Sequence, residues 1–189
     1  MLLTSLLLLV ACSDDDTFST APGSLLDFSA DTVRLDTCFS TVPTPMKTFW
    51  VYNRSGEGIR LQSIRLERGN QSGFRVNVDG VYLGAATGWQ TNQVEIRNKD
   101  SVRVFVELTS SLNYQEEPQK LDDNIIFTLE NGNVQKVNLL TYTWDATLLY
   151  NVRVSNDTLI DQRKPIVVYG GIKVDSMATL SIAAGTTLY

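Results

Sequence analysis

The chain has 189 residues, with 16 Lys and Arg against 21 Asp and Glu, a net charge of -5 at neutral pH, and no histidine. The negative balance argues against nucleic acid as a partner, which demands a basic face. The absence of imidazole removes Ser-His-Asp and Cys-His catalysis and argues against zinc or iron sites.

The chain opens on an apolar run that stops at Cys12 and turns acidic through Ser13, Asp14, Asp15 and Asp16. A transmembrane helix needs about 20 apolar residues, and this run is far shorter. Its length suits the apolar core of a secretory signal. Within it, Leu9-Val10-Ala11-Cys12 resembles the lipobox of bacterial lipoproteins: a large aliphatic residue, two smaller ones, then cysteine. That resemblance implies that residues 1–11 are removed as a signal peptide. The Cys12 thiol then takes a diacylglycerol, and its new amine takes a further acyl chain such as palmitate. Two or more chains hold a protein stably at a leaflet, at about 0.8 kcal/mol per buried methylene. The Ser13–Asp16 run resembles the surface-export signal of Bacteroidetes lipoproteins, which implies an outer-membrane location facing the cell exterior. A solvated acidic tether has the same composition, and that alternative stays open. No Lys or Arg precedes the apolar run, which reads as a natural start upstream of Met1. Residues 12–23 are then a lipidated cysteine and a flexible tether.

From Ser24 onward the apolar residues recur every second position. Val102, Val104, Val106 and Leu108 share one face of a strand, with Arg103 and Glu107 on the other. Phe49 and Val51 alternate with Trp50 and Tyr52, and Ile125, Phe127 and Leu129 alternate with polar or mixed neighbours. Ile59 and Leu61 change phase to Ile64 and Leu66 across Gln62-Ser63, which predicts a bulge or a break. Asn53–Gly56, Gly69-Asn70, Asp79-Gly80, Asn98–Asp100 and Asn131-Gly132 punctuate the strands as turns. Seven or eight short strands so separated describe a two-sheet antiparallel sandwich. Cys38, within Leu35–Phe39, reads as a buried, inert thiol on a strand.

Few residues in this pattern offer chemistry. Glu116-Glu117 precedes a proline in a polar loop, and the adjacent pair Asp122-Asp123 points to opposite sides of a strand. Neither forms the opposed carboxylates of a glycosidase, so no catalytic residue, metal or cofactor is assigned. The exposed candidate is the loop GVYLGAATGWQTNQ, where Trp89 beside Gln90, with Tyr82 nearby, could give a sugar ring an aromatic platform. The alternative is that Trp89 covers an open end of the core.

The stretch KTFWVYNRSGEGIRLQSIRLERGNQSGFRVNVDG, then NKDSVRVFVELT, then IIFTLENGNVQKVNLLTYT, resembles the ASH or choice-of-anchor immunoglobulin-like domains of bacterial surface proteins, over about residues 31–144. The resemblance implies an immunoglobulin-like β-sandwich without shared catalytic residues, used for spacing or adhesion. After Trp144 the texture changes. Residues 145–156 read as an extended connector. Ile172, Leu180 and Leu188 then recur every eight residues, and KPIVVYGGIKVDSMATLSIAAGTTLY resembles the first coil of a right-handed parallel β-helix. One coil cannot bury its own apolar face and such folds need at least about three units, so the chain reads as a piece of a longer protein. The competing reading adds these strands to the sandwich.

The expected organisation is a signal over 1–11, a lipidated tether over 12–23, a sandwich over 24–144 and an incomplete β-helix over 145–189. The expected function is a lipid-anchored, non-catalytic module that binds a glycan or another surface protein. The alternative is the mount of a polysaccharide-active, lyase-like β-helix whose groove lies beyond Tyr189. Cys12→Ser is expected to release the protein from membrane fractions and abolish lipid labelling; persistent labelling would refute the anchor.

Overall fold

Alternating apolar residues become strands once their turns bring two faces together. The computed structural model describes residues 17–189; Cys12 and the Ser13–Asp16 run lie outside the described residues. In chain order come β1 (Leu26–Phe28), β2 (Thr32–Arg34), β3 (Cys38–Phe39), β4 (Lys47–Asn53), β5 (Ile59–Leu66) and β6 (Phe74–Val78). They are followed by β7 (Val81–Tyr82), β8 (Gln90–Ile96), β9 (Ser101–Leu108), β10 (Gln119–Leu129) and β11 (Val134–Trp144). One sheet runs β1-β4-β9-β6-β7; the other runs β2-β11-β10-β5-β8, with β3 also on β11. These exceed the seven or eight expected because β1, β2, β3 and β7 are only two or three residues long, too short to show a period.

The order β1-β4-β9-β6 facing β11-β10-β5 is that of the ABED and GFC sheets of an immunoglobulin-like sandwich. The first strand is split between the sheets: β1 pairs antiparallel with β4, and β2 crosses to pair parallel with β11. Phe74, Val104, Leu108, Leu61, Ile64, Phe127 and Leu139 meet between the sheets and are almost wholly buried. The phase change in β5 is a bulge at Gln62. Leu61 and Ser63 pair with Leu129 and Thr128 on one side and with Val94 and Asn92 on the other. The extra residue lets both Leu61 and Ile64 face inward, and Gln93 opposite it takes a left-handed φ of 54°.

The segment expected to be a flexible tether is tied down over its described part. Phe18 bridges to Gly58 beneath the Arg60 guanidinium. The Asn131 amide donates to the carbonyls of Ala21 and Ser24, and Asn133 donates to that of Pro22. The turn that closes the β10–β11 hairpin thus also clamps the incoming chain.

Residues 145–156, expected to be a connector, instead contain β12 (Thr147–Val154), followed by β13 (Thr158–Ile160), β14 (Ile166–Val174) and β15 (Leu180–Ile182). β12 pairs parallel with β14, β13 with β15, and Ile166 with Leu188. Each stretch therefore lies beside the chain about twenty residues further on. The β12–β14 ladder shifts register after Tyr150, where Asn151 and Gly170-Gly171 all adopt positive φ.

Asp145 joins the two parts. Along β11 the inward side passes from Val137 and Leu139 to Thr141, Thr143 and then Asp145, all buried. The Asp145 carboxylate, 2% exposed, accepts the backbone N–H groups of Asn113 and Tyr114, and Lys164 lies 3.5 Å away. Burial pushes this carboxyl up, but those N–H groups and the Lys164 ammonium outweigh it and hold it below the usual carboxylate range. A carboxyl lowered on folding adds stability above its unfolded value, about 3.9, and loses it as pH falls through the folded value. Asp145→Asn is therefore expected to cost about 1.5–3 kcal/mol at pH 7, measured by urea unfolding. The difference from the parent should shrink as pH falls below about 4; a gap constant to strongly acid pH would contradict it.

Candidate binding face

The outward side chains of the β1-β4-β9-β6-β7 sheet interleave aromatic rings with guanidiniums. β4 turns Phe49 and Val51 inward, so Trp50 and Tyr52 point out; β9 buries its valines, so Arg103, Phe105 and Glu107 point out. β6 likewise presents Arg75 and Asn77. Cross-strand register sets Trp50 opposite Arg103, Phe105 opposite Thr48 and Asn77, Arg75 opposite Glu107, and Asn77 opposite Tyr82. Trp50 is 38% exposed and Tyr82 is 46% exposed. Met46, Arg75, Asn77, Tyr82, Phe105 and Glu107 line a shallow depression of about 50 Å³ on this face.

Its charges are unevenly matched. Arg75 lies 2.9 Å from Glu107 and Arg54 lies 3.7 Å from Asp27, with Arg54 also over the Tyr52 ring. Arg103, at the centre, has aromatic neighbours instead: its guanidinium lies 5.4 Å from the Trp50 ring centroid and 4.9 Å from that of Phe105. Among the described residues no carboxylate stands within ion-pair distance of it. A wider hollow of about 650 Å³ lies at β5 and β8, lined by Arg60, Gln62, Asn92, Gln93 and Glu130. There Arg60 already pairs with Glu95 at 2.8 Å and with Glu130 at 3.3 Å.

The residues singled out in the sequence fall in different places. Tyr82 belongs to the face, its ring packed against Gly84 where a Cβ would collide with it. Trp89, with φ 63°, follows the short 3-10 turn Ala85–Thr87, and its half-buried ring covers Gly69. Gln90 opens β8 opposite Arg65 on the other sheet. Tyr82 and Trp89 are thus seated on different glycines. Cys38 is half-buried beside Thr141, and burial pushes its thiol up, which disfavours the reactive thiolate. Asp123 is buried, accepting N–H groups from Arg68 and Asn124 and the Ser72 hydroxyl, while Asp122 reaches toward Arg68 and Lys120. Among the described residues, no three His, Cys, Asp or Glu side chains are grouped to hold a metal ion.

No family model matches this chain, and no curated protein sequence matches it. Among solved structures it is similar to an ASH/PapD-like domain of human CEP192, at 8% identity over 77% of this chain and 97% of that one, with a TM-score of 0.41. It is also similar to a protein of unknown function from Porphyromonas gingivalis W83, at 12% identity over 72% of this chain and 59% of that one, with a TM-score of 0.44. A third is a family 123 glycoside hydrolase from Clostridium perfringens, at 4% identity and a TM-score of 0.43, matched over 68% of this chain but only 30% of its own length. Likenesses this distant say nothing of what the chain binds.

Trp50 is the tryptophan most open to solvent, since Trp89 and Trp144 are half-buried. Trp50→Phe is expected to remove most of the iodide-quenchable fluorescence while shifting stability by no more than about 0.5 kcal/mol. Undiminished quenching in that variant would place Trp50 away from solvent.

Proposed function

We propose that this protein is a lipid-anchored, non-catalytic binding module of the outer cell envelope, and that the aromatic face of its β1-β4-β9-β6-β7 sheet makes the contact. The observation that carries the reading is the clustering of Trp50, Phe105, Tyr82 and Arg103 on one exposed sheet. Trp, Tyr and Arg are the residue types that dominate binding energy at interfaces, and an aromatic cluster left in water on a folded domain marks a contact site. The anchor rests on the Cys12 lipobox and the outward orientation on Ser13–Asp16.

We further propose that residues 145–189 form the first coil of a right-handed β-helix. Support comes from parallel pairing with a lag of about twenty residues. It comes also from the stacked positive-φ positions, which bend β12 and β14 at the same corner. Leu149, Val152, Val154, Ile160, Ile166 and Leu180 line an apolar hollow of about 240 Å³ between these strands. This geometry also favours a second reading, in which the chain is the mount of a polysaccharide-active β-helix. Release of unsaturated sugars from acidic polysaccharides by the natural full-length protein would establish that second reading.

The binding reading is tested by two experiments. External protease should digest the protein on intact cells and spare it in cells whose envelope export is blocked. Purified full chain should bind members of a broad glycan and surface-protein array, with loss of at least tenfold on Trp50→Ala. Failure to bind any arrayed ligand would sink the module, and protection from protease would sink its outward orientation.

A further inference from the structure

We propose that the ligand of this face is a carboxylated saccharide, held through its carboxylate by Arg103 and through its C–H faces by the flanking rings. This rests on the binding-module reading and names the ligand of that same site.

Charge matching is the first argument. The face and its rim carry three guanidiniums, of Arg54, Arg75 and Arg103. Arg54 pairs with Asp27 and Arg75 with Glu107, while Asp79, whose N–H donates to the Arg103 carbonyl, and Asp100 also stand at the rim. Among the described residues Arg103 is the guanidinium of this face without an ion pair, on a protein whose net charge is -5. A planar guanidinium held over aromatic rings keeps its edge N–H donors for an anion, and a carboxylate accepts two of them side by side.

Shape is the second argument. The depression holds only about 50 Å³, so the face cannot engulf a compact ligand. It offers instead a broad pleated surface on which an extended chain can lie. The apolar C–H side of a sugar ring suits Trp50 and Tyr82, and its hydroxyls suit the polar side chains between them. These are Thr48, Ser101 and Asn77, the last of which accepts the Gly80 N–H through Oδ1 and leaves its amide N–H groups as donors.

The third argument separates a saccharide from an acidic peptide. The main chains of β4, β9 and β6 already pair with one another across the middle of the sheet. A peptide laid over this face would find no ladder partners for its own N–H and C=O groups, whose burial unpaired is costly. A sugar has no such backbone demand.

The test uses the full chain carrying Cys12→Ser, so that it remains in solution, with affinity electrophoresis and calorimetry at low and moderate salt. The probes are polygalacturonate, the same polymer with its carboxyl groups reduced to alcohols, and poly-glutamate. Retardation by polygalacturonate is expected. At least tenfold weaker binding is expected for the carboxyl-reduced polymer, for poly-glutamate and for Arg103→Gln, with partial recovery in Arg103→Lys. Trp50→Phe should bind nearly as the parent and Trp50→Ala at least tenfold more weakly, with thermal midpoints of all variants matched to the parent. Equal binding of the reduced polymer, or unchanged binding in Arg103→Gln, would overturn the carboxylate assignment while leaving the module reading intact. Preference for poly-glutamate would replace the saccharide with an acidic peptide. Binding to none of the probes would overturn this proposal; the module reading would then fail only if the glycan and surface-protein array were also blank.

Discussion

The register of the β10–β11 hairpin is the constraint on which the rest of the structure hangs. Eleven-residue strands run antiparallel from Gln119 opposite Thr143 to Thr128 opposite Val134 and turn at Asn131-Gly132, where Gly132 takes a φ of 86°. A slip of one residue would turn every inward side chain of a strand outward. Phe127 and Leu139 would leave the core, where truncating residues of this size costs about 2–5 kcal/mol each. β11 also carries the parallel partners β2 and β3, and the hairpin's turn grips the carbonyls of residues 21–24.

The same strand carries the core's polarity gradient toward the C-terminal strands. Its inward positions begin as valine and leucine, continue as Thr141 and Thr143, and end on the Asp145 carboxylate. Thr141 donates to the Asp36 carbonyl, and the Thr143 carbonyl accepts from the Asn113 amide. The gradient ends where the main chain leaves the sandwich. There hydrogen bonds with fixed directions, together with the edge-to-face pair of Phe39 and Tyr189 and the Arg163–Glu116 ion pair, set the docking of the parallel strands.

The candidate face follows from the same pleat seen from outside. Burying alternate residues of β4, β6 and β9 commits the intervening ones to solvent. In this protein those include the rings of Trp50, Tyr52 and Phe105 and the guanidiniums of Arg75 and Arg103, with Glu107 paired to Arg75. Two ion pairs quench charge at the rim and leave Arg103 against π faces at the centre. The cluster is assembled from strands separated by up to about fifty residues of chain, so no local motif announces it.

The sequence by itself determined the all-β class, the inward residues of the long strands, the turn sites and the phase change across Gln62-Ser63, because period-two burial and turn chemistry act over a few neighbouring residues. That the phase change is a bulge and not a break came from the pairing register. It also singled out Tyr82, but grouped it with Trp89, since proximity along the chain was the only measure of nearness to hand. Tertiary structure alone decided that Tyr82 sits with Phe105 and Arg75 while Trp89 covers Gly69. It also decided that residues 17–23 are clamped and that 147–154 is a paired strand. Those outcomes depend on which strand lies beside which, and register between distant segments is set by the whole core closing at once rather than by any window of residues.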